Sequence, residues 1–202
     1  MNKRSGTESK KKIINAALRV FTEYGYKGAS MRMIAGAAGI SVGGLYLYFD
    51  NKEGLYHTLI KETLSDFTKK VSEALKDSMT SSEAFNLFIA LYLNNAKKHR
   101  GLILIQGREH GFSFGVDIKK RFLKLQRGTI EDIIQKGITS GEFRKCNVKE
   151  VSKIIFCVLR GFILSLIVEP DALFSPEECS NFLLKGLLNK NAESGLGESN
   201  AT

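Results

Sequence analysis

The spacing of Ala35, Gly39 and Leu45 is the feature that most restricts how this chain can fold. A small residue lets two helices approach closely, a glycine four positions later makes a tight turn, and an apolar residue six positions further anchors a second helix on the first. The surrounding stretch, residues 30–49, reads SMRMIAGAAGISVGGLYLYF. The spacing therefore predicts a helix-turn-helix motif, although isolated triplets of this kind also occur by chance.

Apolar residues at helical spacing recur along the rest of the chain. A first helix carries its stripe from Ile14 to Phe21 and is predicted to stop near Gly25. Ser30 is predicted to cap the second helix, and Gly39, which can adopt the left-handed conformation, to end it. Further helices are predicted after Ser41, from residue 50 or 51 to about 76, and at 82–99, 102–110, 115–140, Val148–Val168 and Pro176 to Leu188.

These patterns predict an all-α fold of about nine helices. The sequence has only two prolines. It has no alternating Val, Ile and Thr segments separated by turns, and such segments would be needed for a sheet. A content of 43% hydrophobic and 25% charged residues is that of a globular protein with a proper core. We expect a helix-turn-helix domain over residues 1–50, a second helical domain over 51–190, and a polar, disordered tail over 191–202.

The third helix raises the question of why it contains two adjacent glycines. Each glycine inside a helix costs about 1 kcal/mol relative to alanine. If Leu45 and Phe49 face inward, the glycines lie on or beside the outward face, where they would let another molecule approach the backbone. The outward face then comprises Val42, Gly43, Tyr46 and Leu47, flanked by Gly44 and Tyr48.

The charge distribution favours a polyanionic partner for this end of the chain, although the solvated Lys-rich segment KRSGTESKKK would produce part of it without any partner. The net charge is +9, and the first 70 residues hold 12 of the 30 Lys and Arg but only 6 of the 21 Asp and Glu. Tyrosine hydroxyls, the Ser41 hydroxyl and Lys52 at the start of the fourth helix could donate to DNA phosphates. The candidate DNA-binding residues are Ser30, Arg32, Ser41, Val42, Gly43, Gly44, Tyr46, Leu47, Tyr48 and Lys52.

The stretch SMRMIAGAAGISVGGLYLYFDNKEGL resembles the DNA-binding signature of the TetR family of bacterial transcriptional regulators, including its LYxYFxxKexL ending. The resemblance covers residues of about 12 to 60. It implies a cytoplasmic repressor that binds operator DNA. It also implies that a small, largely apolar molecule binds in a central cavity of the second domain and relieves the repression. It also implies a homodimer in which the helices Val148–Val168 and Pro176 to Leu188 form a four-helix bundle.

The third helix, which would be the recognition helix of the motif, departs from the family pattern at two positions. Val42 stands where relatives often have lysine or arginine, and Gly44 where threonine or alanine is common. The third helix therefore has no long polar side chain for a bidentate contact with a base edge. Arg32 on the second helix is the remaining candidate, and contacts of Val42 or Leu47 with thymine methyl groups and DNA shape could add specificity.

Two other functions remain open. An enzyme is disfavoured because the chain has no GxSxG, GxxxxGK[ST] or HExxH motif and no partner at motif spacing for its three histidines. A ligand-independent architectural DNA-binding protein would use the same N-terminal domain with a filled second core. A cavity of several hundred cubic ångströms in the second domain would favour the ligand-responsive regulator.

The middle of the chain could line such a cavity or form plain core. Its aromatic residues are Phe85, Phe88, Tyr92, Phe112, Phe114 and Phe122. Polar residues that could orient a ligand, or be exposed to solvent, are Gln106, Arg108, His110 and Gln126.

Neither cofactor, metal nor membrane is expected. The three cysteines, Cys146, Cys157 and Cys179, are widely spaced and suggest inert thiols. The apolar run 154–168 is shorter than a membrane span and contains Arg160, so a buried helix, within one monomer or between two, explains it better. The basic N-terminus lacks the apolar core of a signal peptide.

Overall fold

The computed structural model describes the backbone of residues 3–109 and 115–189 and the side chains of 7–105 and 115–189. Regular structure in these ranges is helical, as predicted. The helices are α1 (Lys3–Gly28), α2 (Met31–Ala38), α3 (Val42–Tyr46), α4 (Lys52–Ala74), α5 (Ser81–Lys98), α6 (Arg100–Glu109), α7 (Val116–Ser140), α8 (Val148–Val168), a 3-10 turn (Pro170–Ala172) and α9 (Pro176–Lys185). The predicted tail, Phe112 and Phe114 lie outside the described residues, as do the side chains of Gln106, Arg108 and His110.

The chain divides into two compact units at boundaries that differ from those expected. Unit 1 contains the described residues of Met1–Asp66 and His99–Lys120, and unit 2 those of Phe67–Lys98 and Arg121–Thr202. Helix α6 belongs to unit 1 because it packs on α1. Gly101 makes that packing possible, since a Cβ atom there would collide with the side chain of Thr22.

The core of unit 1 joins α1, α2, α3, α6 and the first half of α4. Phe21, Ile34, Leu45 and Tyr56 are fully buried in it. The Ser30 cap is confirmed, since its Oγ accepts a hydrogen bond from the Met33 amide at 3.2 Å. These contacts hold the two helices of the motif against α1.

Two helix ends differ in detail from prediction. Helix α1 loses its helical dihedrals at Gly25 (φ 71°, ψ 173°), where the sequence predicts a stop, but one further turn follows. Helix α9 ends at Lys185 rather than Leu188. There the chain turns at Gly186, and Leu187 accepts a hydrogen bond from the Arg144 amide at 2.9 Å.

Unit 2 is built around α5, which packs against α8 and α9. The Glu142 carboxylate accepts hydrogen bonds at 2.8 Å from the amides of Ser81 and Ser82, which begin α5. Phe143, next along the chain, lies in the core against Gly137 of α7, where a Cβ atom would collide with its ring. The two contacts fix the loop after α7 against the start of α5.

Helix α8 is 21 residues long, an 18-residue stretch of it has a mean hydropathy of 2.2, and among the described helices it alone has the length and apolarity of a membrane span. It is longer than the run 154–168 because six residues extend it at its N-terminus. Its inward face, including Leu159 and Phe162, is buried in unit 2. A second, outward stripe remains exposed.

Candidate nucleic-acid interface

The turn between α2 and α3 has the geometry that the spacing of Ala35, Gly39 and Leu45 predicts. Gly39 is left-handed (φ 68°), and its amide donates to the last carbonyls of α2. The Ile40 amide returns to the Ala35 carbonyl at 3.0 Å. Leu45 is fully buried and Phe49 is 7% exposed, so both point into the unit 1 core. The helix-turn-helix prediction is confirmed in this geometry.

Serine caps begin both helices of the motif. Ser41 Oγ accepts from the Gly44 amide at 3.0 Å, as Ser30 Oγ does from Met33. Both serines are exposed. Because a hydroxyl that accepts a hydrogen bond still has its own O–H, each can cap its helix and donate outward.

The outward face of α3 is apolar and aromatic. Val42 is 37% exposed, Tyr46 48% and Leu47 81%. Leu47 lies at the C-cap, because α3 is only five residues long and ends at Tyr46. The surface therefore presents methyl groups and one phenol, and no charged side chain.

The two glycines of α3 have different roles. A Cβ atom on Gly44 would lie 3.1 Å from Ser41 Oγ and would crowd the helix cap. A Cβ atom on Gly43 would meet nothing within 4 Å among the neighbouring described residues. Packing within unit 1 thus explains Gly44 but not Gly43.

Arg32 is exposed on α2 and makes no hydrogen bond or ion pair within the described part of the chain. Its guanidinium group is exposed to solvent, and its contact with DNA stays a prediction. Sequence reasoning missed Arg19 of α1, which donates to the Ala37 carbonyl at 3.2 Å and so holds the C-terminal end of α2. No local pattern could have revealed Arg19, because its partner lies 18 residues away.

Tyr48 and Lys52 are placed differently from the sequence-based expectation. Tyr48 is half-buried and packs on the unit 1 core instead of standing out with Tyr46. Lys52 Nζ donates to the carbonyl oxygens of Tyr26 at 2.7 Å and Ala29 at 2.9 Å. The ammonium group of Lys52, which the sequence predicts to bind a DNA phosphate, is therefore hydrogen-bonded within unit 1.

Comparison with known protein families gives two matches that together span most of the chain. The model of bacterial regulatory proteins of the tetR family matches residues 13–59. The model of the QacR-like protein C-terminal region matches residues 63–187, which is more than half of the chain.

Individual relatives agree with these matches. The fatty acid metabolism regulator protein of Bacillus subtilis is 26% identical over 185 residues, covering 88% of this chain and 95% of the relative. The crystal structure of the transcriptional regulator FadR from Bacillus subtilis in complex with stearoyl-CoA has a TM-score of 0.68 at 26% identity, over 86% of this chain and 95% of that one. A TetR regulator from Haloarcula marismortui has a TM-score of 0.77 at 18% identity, over 91% and 100% of the two chains. With its N-terminal part matched by one family model and more than half of its length by the other, this chain belongs to the TetR family of bacterial transcriptional regulators.

Proposed function

We propose that this DNA-binding transcriptional regulator is a dimeric, cytoplasmic repressor that a long-chain acyl-coenzyme A releases from its operator. The exposed face of α3 is the observation that carries the DNA-binding part. On this face lie the exposed side chains of Val42, Tyr46 and Leu47, and the open Cβ position of Gly43. Arg32 and the caps Ser30 and Ser41 supply the polar groups around this face, for base or phosphate contacts.

The reading mode follows from the chemistry of that face. An apolar helix surface recognises thymine methyl groups in the major groove, and exposed Val42 and Leu47 provide it. Tyr46 is placed to donate its hydroxyl to a phosphate or a base edge. Sequence preference would then come from methyl contacts, from Arg32 and from DNA shape.

Dimerisation would use the outward stripe of α8. Ile154, Leu164 and Val168 are 62%, 56% and 66% exposed. With the exposed Cys157 and Gly161 they repeat at alternating steps of three and four residues, the spacing of a helix–helix seam. Gly161 would allow a close crossing, and Phe182 of α9, 78% exposed, would extend the seam. Regulators of this family function as dimers, and this stripe is our proposed interface.

The effector class is taken from the relative that was solved with stearoyl-CoA. Unit 2 contains an aromatic cluster suited to an acyl chain. Phe67 lies 5.9 Å from Tyr92 and 5.8 Å from Phe122, and Tyr92 lies 5.7 Å from Phe156, between ring centroids. Since these rings contact each other, an acyl chain would have to part them on entering.

Gln126, in the same unit as the aromatic cluster, is the polar side chain that we propose contacts the effector. It is 1% exposed, and its Nε2 donates to Thr68 Oγ1 at 3.1 Å, while its Oε1 has no partner among the described residues. A buried unpaired amide oxygen costs about 1–3 kcal/mol. A donor on the bound effector, such as an amide N–H, would satisfy it.

The depression on α7 does not suit this effector. It has a volume of about 490 Å³, opens to solvent and is lined by the polar side chains Asp132, Gln135, Lys136, Thr139 and Ser140. An acyl chain would gain little from such a lining. We therefore place the effector at the aromatic cluster, and a ligand-independent DNA-binding protein is the alternative.

The test combines operator binding with stearoyl-CoA as the probe. The chain has no tryptophan, so Phe122→Trp gives a single fluorophore beside the aromatic cluster. We expect stearoyl-CoA, and not free coenzyme A, to change its fluorescence and to lower operator affinity. DNA binding that stearoyl-CoA leaves unaltered would support the ligand-independent alternative. A complete lack of sequence-specific DNA binding would contradict the proposal of a repressor.

A further inference from the structure

Lys52 occupies a position in its own helix that electrostatics disfavours. It is the first residue of α4. The N-terminus of a helix carries a partial positive charge, so a cation there is unfavourable, and an acidic residue such as the neighbouring Glu53 is favoured. The side chain must therefore gain its stabilisation from another part of the molecule.

The end of α1 supplies that stabilisation. The last carbonyls of a helix have no intrahelical partner and carry a partial negative charge. Lys52 Nζ lies 2.7 Å from the Tyr26 carbonyl oxygen, 2.9 Å from that of Ala29 and 3.5 Å from that of Lys27. An ammonium group has three donors, and the two short contacts and one longer contact offer it an acceptor for each, in the last turn of α1 and at the residue that follows it.

The residues beneath the ammonium group shape its site. Lys52 Nζ lies 4.5 Å from the centroid of the Tyr26 ring, in cation–π distance. That ring packs on Tyr56 at 5.0 Å and on Phe21 at 5.7 Å, and both of these side chains are buried. The break at Gly25 turns the last carbonyls of α1, and its dihedrals (φ 71°, ψ 173°) are open essentially to glycine alone.

We propose that Lys52 is a positioning residue for DNA recognition, which ties the first turn of α4 to the last turn of α1 and thereby fixes α3, and that it does not contact a phosphate. Only Leu47, Tyr48, Phe49, Asp50 and Asn51 separate α3 from α4. At its other end α3 is held by the Gly39 turn. Buried Leu45 and Phe49 anchor α3 on the core, and Lys52 adds a fixed point beyond its C-terminal end; without Lys52, part of the ordering of α3 would fall to the moment of DNA binding.

Three possible roles of Lys52 predict different outcomes for Lys52→Met. A positioning role lowers the operator affinity of the folded protein and leaves its salt dependence unchanged. A phosphate contact flattens the plot of log affinity against log salt by about 0.9 per contact, hence by about two for a dimer. A purely structural role lowers the melting temperature and leaves the affinity of the folded fraction unchanged.

The matched control is Lys61→Met, which removes the same charge from an exposed position on the same helix. The first measurement is amide hydrogen exchange of residues 41–51 in the free dimer. We expect exchange about tenfold faster in Lys52→Met than in the wild type and no change in Lys61→Met. Lys52→Gln, which keeps two donors without the charge, should lie between them and provides a second folded variant.

The second measurement is affinity for a duplex selected by the wild-type protein from random DNA, over a salt series and corrected for active fraction. We expect Lys52→Met to bind about tenfold more weakly than Lys61→Met at equal slope. Unchanged exchange, a flatter slope, or a lower melting temperature as the sole effect would each overturn the proposal. Failure of the wild type to select any DNA would remove the proposed function, and the exchange measurement would still decide the role of Lys52.

Discussion

A glycine inside a helix lowers stability by about 0.5–1 kcal/mol relative to alanine, and at some positions a packing gain offsets this loss. Gly101 and Gly137 do so, because a Cβ atom at either position would collide with a neighbouring side chain. Gly43 does not, since its Cβ position is open. We propose that the gain at Gly43, which lies on the outward face of α3, comes from contact with duplex DNA.

Gly43→Ala separates stability from DNA binding at the scale of one residue. We expect the variant to be more stable by about 0.5–1 kcal/mol, because alanine favours the helix. We expect its operator affinity to fall, because the added methyl group holds the backbone away from the groove. Thermal melting and binding titration measure the two effects. The control Gly128→Ala, also with an open Cβ position but in α7, should keep full affinity; unchanged affinity in Gly43→Ala would remove its proposed role.

Arg32 tests how the motif distinguishes one sequence from another. Its guanidinium group is exposed and makes no contact within the described residues. For Arg32→Ala we expect a loss of about 1–3 kcal/mol of binding free energy on the operator and a smaller loss on random DNA, as for a base contact. Competition binding against both duplexes provides the measurement. An equal loss on both would show that Arg32 contacts phosphate only.

The start of α5 has a side-chain acceptor for each of the amides of residues 80–83. Thr80 and Glu83 form a reciprocal capping box, with hydrogen bonds of 2.9 and 3.2 Å. The next two amides donate to Glu142, which comes from beyond α7. Burial by itself would raise the pKa of Glu142, but the hydrogen bonds from Ser82 and Ser81 outweigh it, and the pKa lies below its ordinary value of 4.5.

This lowered pKa predicts acid-sensitive stability. A carboxyl group whose pKa is lower in the folded state stabilises the protein above its unfolded pKa, and the stabilisation is lost as pH falls through the folded value. We expect Glu142→Gln to be less stable by about 1–2 kcal/mol at pH 7 and the difference from wild type to shrink below about pH 4.5. Urea denaturation over pH 3–7 measures this. Glu73→Gln, in an exposed pair with Lys69, is the control and should change little; a constant difference across this pH range would contradict the assignment.

Local chemistry accounts for most of what the sequence predicts at this scale. The predicted cap Ser30 accepts a hydrogen bond from the amide three residues ahead, because N-capping depends on a few adjacent residues; Asn147 and Ser175 begin α8 and α9 in the same way. The end of α9 was predicted three residues too late. Leu187 and Leu188 have helix-compatible side chains, and only their pairing with the distant Phe143 and Arg144 removes them from the helix.

The candidate site shows the same limit over longer distances. The outward face of α3 follows from the spacing around Leu45, so Val42, Gly43, Tyr46 and Leu47 could be placed from the sequence alone. Lys52 could not, because its partners lie 23 to 26 residues away and are backbone carbonyls, which leave no mark on the side-chain pattern. The sequence leaves open whether Gln126 is exposed or buried, because its partner Thr68 lies 58 residues away.

For the whole molecule, dimerisation and operator binding should fail together. Leu164→Glu places a charge in the proposed α8 seam, where burial against a second copy would desolvate it. We expect this variant to become monomeric and to lose specific operator binding while keeping its helical content, as measured by sedimentation, titration and circular dichroism. The control is Leu125→Glu on α7, an equally exposed leucine outside the stripe. A dimeric Leu164→Glu would require another interface.

The central claim, that the outward face of α3 reads operator DNA, is tested most directly by selecting bound duplexes from random DNA. The wild type and a variant with Val42→Ser and Leu47→Ser are compared. For the wild type we predict a two-fold symmetric sequence with half-sites about 34–36 Å apart or a multiple of this. For the variant we predict loss of preference at the thymines of each half-site. No enriched sequence, or the same sequence from both proteins, would contradict the account.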